Sequence, residues 1–243
     1  MKILINFKRL DYGNIKFHSV AEKMAKFVYE HQEYFYNLAY VIRTSKSWTL
    51  RNCQKELRKY TNPLKPAMTM FRRDEKLDQD YVDIFKCSYG LCRNDADIHI
   101  LRGILAEYVF SNACKVKKPN GNWKLETGCA VEIDGQKVEY RNDVVTDSKK
   151  TVDLGGWNFS EQKGIFAEVK VSPDVFCSKD SGFLQNLKNI LVRYKFICYK
   201  IYVFSLEQKN LMREKIESLG YAVGSDTVIL DPASLFTEDF FAF

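Results

Sequence analysis

The chain has no uninterrupted apolar run long enough to cross a bilayer. Its most hydrophobic stretch, Ile190 to Phe204, is broken by Arg193, Lys195 and Lys200, whereas a spanning helix needs about 20 apolar residues. The opening MKILINFKRLD has neither a long apolar core nor a small-residue cleavage site. It therefore reads as a first strand, not a secretion signal. No internal repeat or low-complexity tract is present. Histidine is scarce: His18, His31 and His99 all lie outside the acidic motifs below, so none is assigned a catalytic role. The seven cysteines are odd in number and irregularly spaced. That argues against a disulfide framework and for a reducing cytoplasm. Cys87 and Cys92, with Cys114 and Cys129 further on, do not match a zinc or iron–sulfur ligand spacing. Buried or inert thiols account for them, with a metal-thiolate site as the lesser alternative.

What is present is enough for a substantial core. The 243 residues are 46% hydrophobic and 28% charged, a size and balance that suit one large domain or one domain with an added element. The charge is uneven. All of the formal excess of +6 lies in the first 97 residues, and the remainder is neutral. A basic region favours a polyanionic partner through counterion release, and it also serves as a solubilising surface.

The pattern divides near Asp95. Residues 1–94 read as mostly helical and basic, a region for substrate binding or dimerisation. Apolar positions Val20, Met24, Phe27, Val28, Tyr34, Leu38 and Val41 predict helix over His18 to Ile42. A second helix is expected over Leu50 to Tyr60, stopped by Asn62-Pro63. Residues 95–243 read as a helix over Asp97 to Cys114, a hairpin turning at Asp134-Gly135, and two short strands. A helix near Ser181 to Phe196, the strand KIYVFS, a helix from Leu206 to Leu219 and the strand TVILD follow. The fold class expected is α/β, a mixed β-sheet flanked by helices.

The stretch TVDLGGWNFSEQKGIFAEVKVS carries the chemistry. Strand alternation places Phe166, Glu168 and Lys170 on one face and Ile165, Ala167, Val169 and Val171 on the other. In TVDLGG, Val152 and Leu154 share a face and Asp153 takes the opposite one. Pairing of the two strands brings Asp153 near Glu168. Carboxylates that close repel unless a cation lies between them. Either a metal ion or a structural ion pair with Lys170 fulfils that need. Glu107 is the only charge on a helical face shared with Ile100, Gly103, Ile104, Phe110 and Cys114. A carboxylate there needs a metal, a proton or a salt-bridge partner such as Arg102.

With Glu107 on a helix, VDLGG, then FAEVKVS, a helix and a strand, the chain resembles the PD-(D/E)XK nuclease superfamily over roughly Asp95 to Ser205. Val152 stands where the family name has proline. The resemblance implies a restriction-endonuclease-like core and a Mg²⁺-dependent phosphodiesterase, with Mn²⁺ as a substitute. It implies that Asp153, Glu168 and the Val169 carbonyl bind metal, with Glu107 contributing from its helix. Lys170 then orients the attacking water and stabilises charge on the phosphorane. Gln185 matches a position that is functional in some members. DNA is the expected substrate, cut endonucleolytically by a homodimer, in a setting such as prokaryotic defence. The rivals are an RNA nuclease of the same fold and a binding module that does not cut. Lys115, Lys117, Lys118 and Lys124, with Trp123, are candidate contacts to the DNA backbone.

Overall fold

A computed structural model describes residues 2–10, 13–61, 74–119, 121–142, 147–196 and 198–243. The chain forms two compact units. One is Gly13–Ala113; the other combines Met1–Tyr12 with Cys114–Phe243. The division differs from the break expected near Asp95, because the opening strand belongs with the sheet and most of the fifth helix with the helical unit.

The helical unit contains α1 (Ile15–Glu30), α2 (Phe35–Thr44), α3 (Leu50–Thr61), α4 (Glu75–Gly90) and most of α5 (Asp95–Val116). The continuous run expected over 18–42 is two helices. His31 leaves the helical region at φ −129° and ψ 71°, and a 3-10 turn over Gln32–Tyr34 follows. That break buries Tyr34 and Phe35, and the Tyr34 hydroxyl donates to Asp78 at 2.6 Å. α4, which the sequence reading did not single out, starts at an Asp74 cap that accepts from the Lys76 and Leu77 amides. It buries Tyr81, Val82, Phe85 and Tyr89 along one stripe. Phe27, Tyr34 and Phe35 are therefore core side chains. The Asn62-Pro63 stop lies outside the described residues.

The second unit is built on a seven-stranded mixed sheet. Its strands are β1 (Ile5–Arg9), β2 (Trp123–Ile133), β3 (Gln136–Lys137), β6 (Thr151–Asn158), β7 (Lys163–Lys170), β8 (Tyr199–Ser205) and β9 (Thr227–Leu230). They lie in the order β1-β2-β6-β7-β8-β9, with β3 beside β2. The first four pair antiparallel; β7, β8 and β9 run parallel. Asp134 and Gly135 both have positive φ (45° and 82°), the backbone that a two-residue hairpin turn requires. Between β7 and β8 runs α6 (Ser178–Arg193), and between β8 and β9 runs α7 (Lys209–Ser218). A separate ribbon, β4 (Tyr140–Asn142) with β5 (Asp147–Lys149), has no counterpart in the sequence reading.

One core joins Phe166, Ile201 and Val203 of the sheet to Phe183, Leu184 and Leu187 of α6 and to Met212 and Ile216 of α7. The aromatic tail docks on its own unit. Leu235 and Phe240 are fully buried, and the Tyr202 hydroxyl donates to the Phe240 carbonyl at 3.0 Å. Trp123 packs against Phe241 and Phe243. Among the described residues, no helix is long and apolar enough to cross a membrane.

Candidate functional site

The β6–β7 ladder runs from Asn158↔Lys163 to Leu154↔Ala167 and stops there. One step further along the same register, Asp153 lies across from Glu168. The strands part at that point. Asp153 Oδ2 instead accepts a hydrogen bond from the Val169 amide at 2.6 Å. The Glu168 side chain points toward α6, on the face that Phe166 shares, and is completely buried. Glu168 and Lys170 share a face, as read from GIFAEVKV, and the Asp153 charge acts on Glu168.

Two ammonium groups converge on Glu168. Lys170 Nζ lies 2.6 Å from Glu168 Oε1 and 3.0 Å from Asp180 Oδ1. Lys149 Nζ lies 2.8 Å from the same Glu168 oxygen and 3.4 Å from the same Asp180 oxygen. Asp180 stands in the first turn of α6, where its Oδ2 accepts the Cys177 amide at 2.9 Å. It therefore caps the helix with one oxygen and holds the lysines with the other. Lys149 arrives on the β4–β5 ribbon, which is clamped to α6. The Tyr140 ring fills the space a side chain at Gly182 would need, and Asn186 donates to the Glu139 carbonyl at 3.0 Å.

The cluster holds three carboxylates (Asp153, Glu168, Asp180) and two ammoniums, one negative charge in excess. Burial, reinforced by the Asp153 charge, pushes the Glu168 carboxyl up from 4.5 to about 7 against the pull of Lys170 and Lys149. For Lys170, burial disfavours the ammonium, but Glu168, Asp153 and Asp180 outweigh it and hold the proton more tightly than usual. Lys149 shows the same balance. Burial works against an ionised Asp180, and the two lysines reverse it, so its carboxyl lies below the ordinary range. Glu168 Oε2 is buried with no hydrogen-bond partner among the described residues. An orphaned buried carboxylate oxygen is costly unless a cation or a proton meets it.

Each remaining sequence candidate has its place within its own unit. Glu107 is half-buried on α5, within the helical unit, and its side chain lies back toward Gly103. Gln185 is half-buried and donates to the exposed Asn189 one turn along α6. Lys115, Lys118 and Lys124 are exposed, on α5, in the loop and on β2 respectively. Lys117 is half-buried, and its ammonium donates to the Phe236 and Glu238 carbonyls, each at 2.6 Å, fastening the tail. Trp123 is likewise buried by the tail. Among the described residues, no group of three or more His, Cys, Asp or Glu side chains is gathered for a metal; ammoniums lie among the carboxylates. The buried thiols of Cys114 and Cys129 are pushed up to about 12 by burial.

Lys149 and Asp180 were missed by sequence reasoning. Lys149 ends one of five acid-x-Lys matches, DSK, and nothing in its neighbourhood marks it out. An acidic residue in the first turn of a helix is fully explained as a cap. No protein-family model and no curated protein matches the sequence.

Proposed function

We propose that this protein is a Mg²⁺-dependent nuclease hydrolysing DNA phosphodiesters, of the PD-(D/E)XK type, acting as an endonuclease and as a homodimer. The observation that carries the reading is the partnerless Oε2 of a fully buried Glu168 beside Asp153, in a cluster one positive charge short of neutrality. That donor set fits a hard divalent cation, which takes carboxylate and carbonyl oxygens. Asp153, Glu168 through Oε2 and the Val169 carbonyl are the residues that would hold it. Bound Mg²⁺ neutralises phosphate charge and acidifies water.

The chain's own groups supply the remainder. Lys170 holds its proton firmly, which supports a role as a hydrogen-bond donor to the phosphate oxygens and not as a proton acceptor. Its position on Glu168 fixes the ammonium before substrate arrives, so no reorganisation is needed as charge builds on phosphorus. Hydrolysis needs only water. Its oxygen bonds to phosphorus, the bond from phosphorus to the leaving sugar oxygen breaks, and one proton passes from the water to solvent while another reaches the leaving oxygen.

The test is cleavage of supercoiled plasmid with Mg²⁺ or Mn²⁺ by the full chain and by Asp153→Ala and Glu168→Gln. Nicked or linear product from the wild type alone supports the reading. Equal cleavage by all three, or none by any, refutes it. Single-stranded RNA in the same assay separates the RNA nuclease from the DNA nuclease.

A further inference from the structure

Lys149 is set as Lys170 is. Both ammoniums touch the same two oxygens, Glu168 Oε1 (2.8 and 2.6 Å) and Asp180 Oδ1 (3.4 and 3.0 Å). The two nitrogens and two oxygens form a ring of alternating charge. Lys149 offsets charge that Lys170 alone would leave on Glu168 and Asp180, and burying that second cation costs desolvation. An ammonium has three donor hydrogens. Each ammonium is held by Glu168 and ion-paired with Asp180, which leaves donor capacity on both lysines. Neither side chain is sealed in: 12% of Lys149 and 17% of Lys170 remain exposed. Two spare donors side by side, next to carboxylates that fit a metal, suit two oxygens of one phosphate group.

The ribbon that delivers Lys149 is held for this purpose. Tyr140 seats on Gly182, Asn186 binds the Glu139 carbonyl, and the Lys149 ammonium lies 5.8 Å from the centre of the Phe183 ring. Asp180 is fixed in turn by the Cys177 amide.

We infer that Lys149 is a second catalytic residue of this site, its ammonium binding the phosphate oxygens of the scissile phosphodiester beside Lys170. Asp180 is the positioning residue that holds both ammoniums in place. The inference rests on the nuclease reading above. A donor aimed at oxygens that gain charge during the reaction lowers the barrier more than it tightens binding. Lys149→Met keeps the length of the stem and removes the charge.

The experiment measures kcat and KM on duplex DNA with Mg²⁺ for the wild type, Lys149→Met, Lys149→Arg, Asp180→Asn and Asp153→Ala, with calorimetric Ca²⁺ binding and thermal melting on each. Lys149→Met is expected to lower kcat about 100-fold with KM within about threefold, as for loss of one transition-state donor. Lys149→Arg restores kcat to within about tenfold of the wild type, because charge and reach are kept. Asp180→Asn lowers kcat about tenfold, and none of these three abolishes Ca²⁺ binding. Wild-type turnover by Lys149→Met while Asp153→Ala is inactive overturns this inference and leaves the nuclease reading standing. A folded Lys149→Arg as inactive as Lys149→Met also overturns it. Equal rates for Asp153→Ala and the wild type, with no Ca²⁺ bound by either, bring down the nuclease reading itself.

Discussion

Glu168→Gln removes a carboxyl that burial keeps protonated to about pH 7. Between the ordinary value of 4.5 and about 7, the folded protein retains a proton at Glu168 that the unfolded chain has released. Stability therefore falls as pH rises through this window, because the native state binds more protons there. Each tenfold gain in proton affinity corresponds to about 1.4 kcal/mol, so the contribution is on the order of 3 kcal/mol. It is fully present below the unfolded value of 4.5 and lost once the pH passes about 7. Glutamine has the shape of the protonated acid and does not titrate. The assay is urea denaturation of both proteins in EDTA from about pH 5 to about pH 8, with the stability of the variant subtracted from that of the wild type. The subtraction cancels every other titrating group that the two share. The difference shrinks by about 3 kcal/mol as the pH rises. Parallel curves would refute the reasoning, since they require Glu168 to be ionised throughout, with Lys149 and Lys170 outweighing its burial. Adding Ca²⁺ stabilises the wild type more at the upper end of the range, because cation and proton compete for the same carboxylate.

Phe240→Ala empties a fully buried position under Tyr202 and costs about 3 kcal/mol in urea denaturation. Lys117→Met leaves two tail carbonyls without their charged donor and costs about 1–3 kcal/mol. It leaves the salt dependence of DNA binding unchanged, whereas neutralising Lys115, Lys118 or Lys124 lowers that slope by about 1 each, read by titration at several salt concentrations. Gly182→Ala drives a methyl into the Tyr140 ring, costs about 1–3 kcal/mol, and lowers kcat by displacing Lys149 while Ca²⁺ binding by Asp153 and Glu168 persists.

The site strands were legible because their periodicity is clean. In GIFAEVKV, Glu168 and Lys170 alternate with Ala167, Val169 and Val171, and register followed from the polar turn between two short apolar runs. The hairpin at Asp134-Gly135 was legible because few residues tolerate two successive positive φ values. The break at His31 was not, since the apolar spacing continues through it and only the tertiary environment of Tyr34 and Asp78 requires the turn. β4 and β5 are three residues each, too short for any period to register. Lys149 and Asp180 join the site through that ribbon and through a helix cap, so their relation to Glu168 exists only in three dimensions. Lys117 looked like a solvated charge because its partners are backbone carbonyls, which composition does not reveal.

The strand that opens the chain finds its partner very late. Leu4 donates to the Asp134 side chain at 2.8 Å across 130 residues of sequence, and β1 pairs with β2 along its whole length. During synthesis β1 is made before β2 and waits unpaired while the whole stretch Gly13–Ala113 is added. Such distant pairing is slow to close, and an unpaired strand is a site for misassociation in the interval. β1 is the edge strand of the sheet and carries Lys8 and Arg9, charges of the kind that disfavour pairing of an edge with a neighbouring chain.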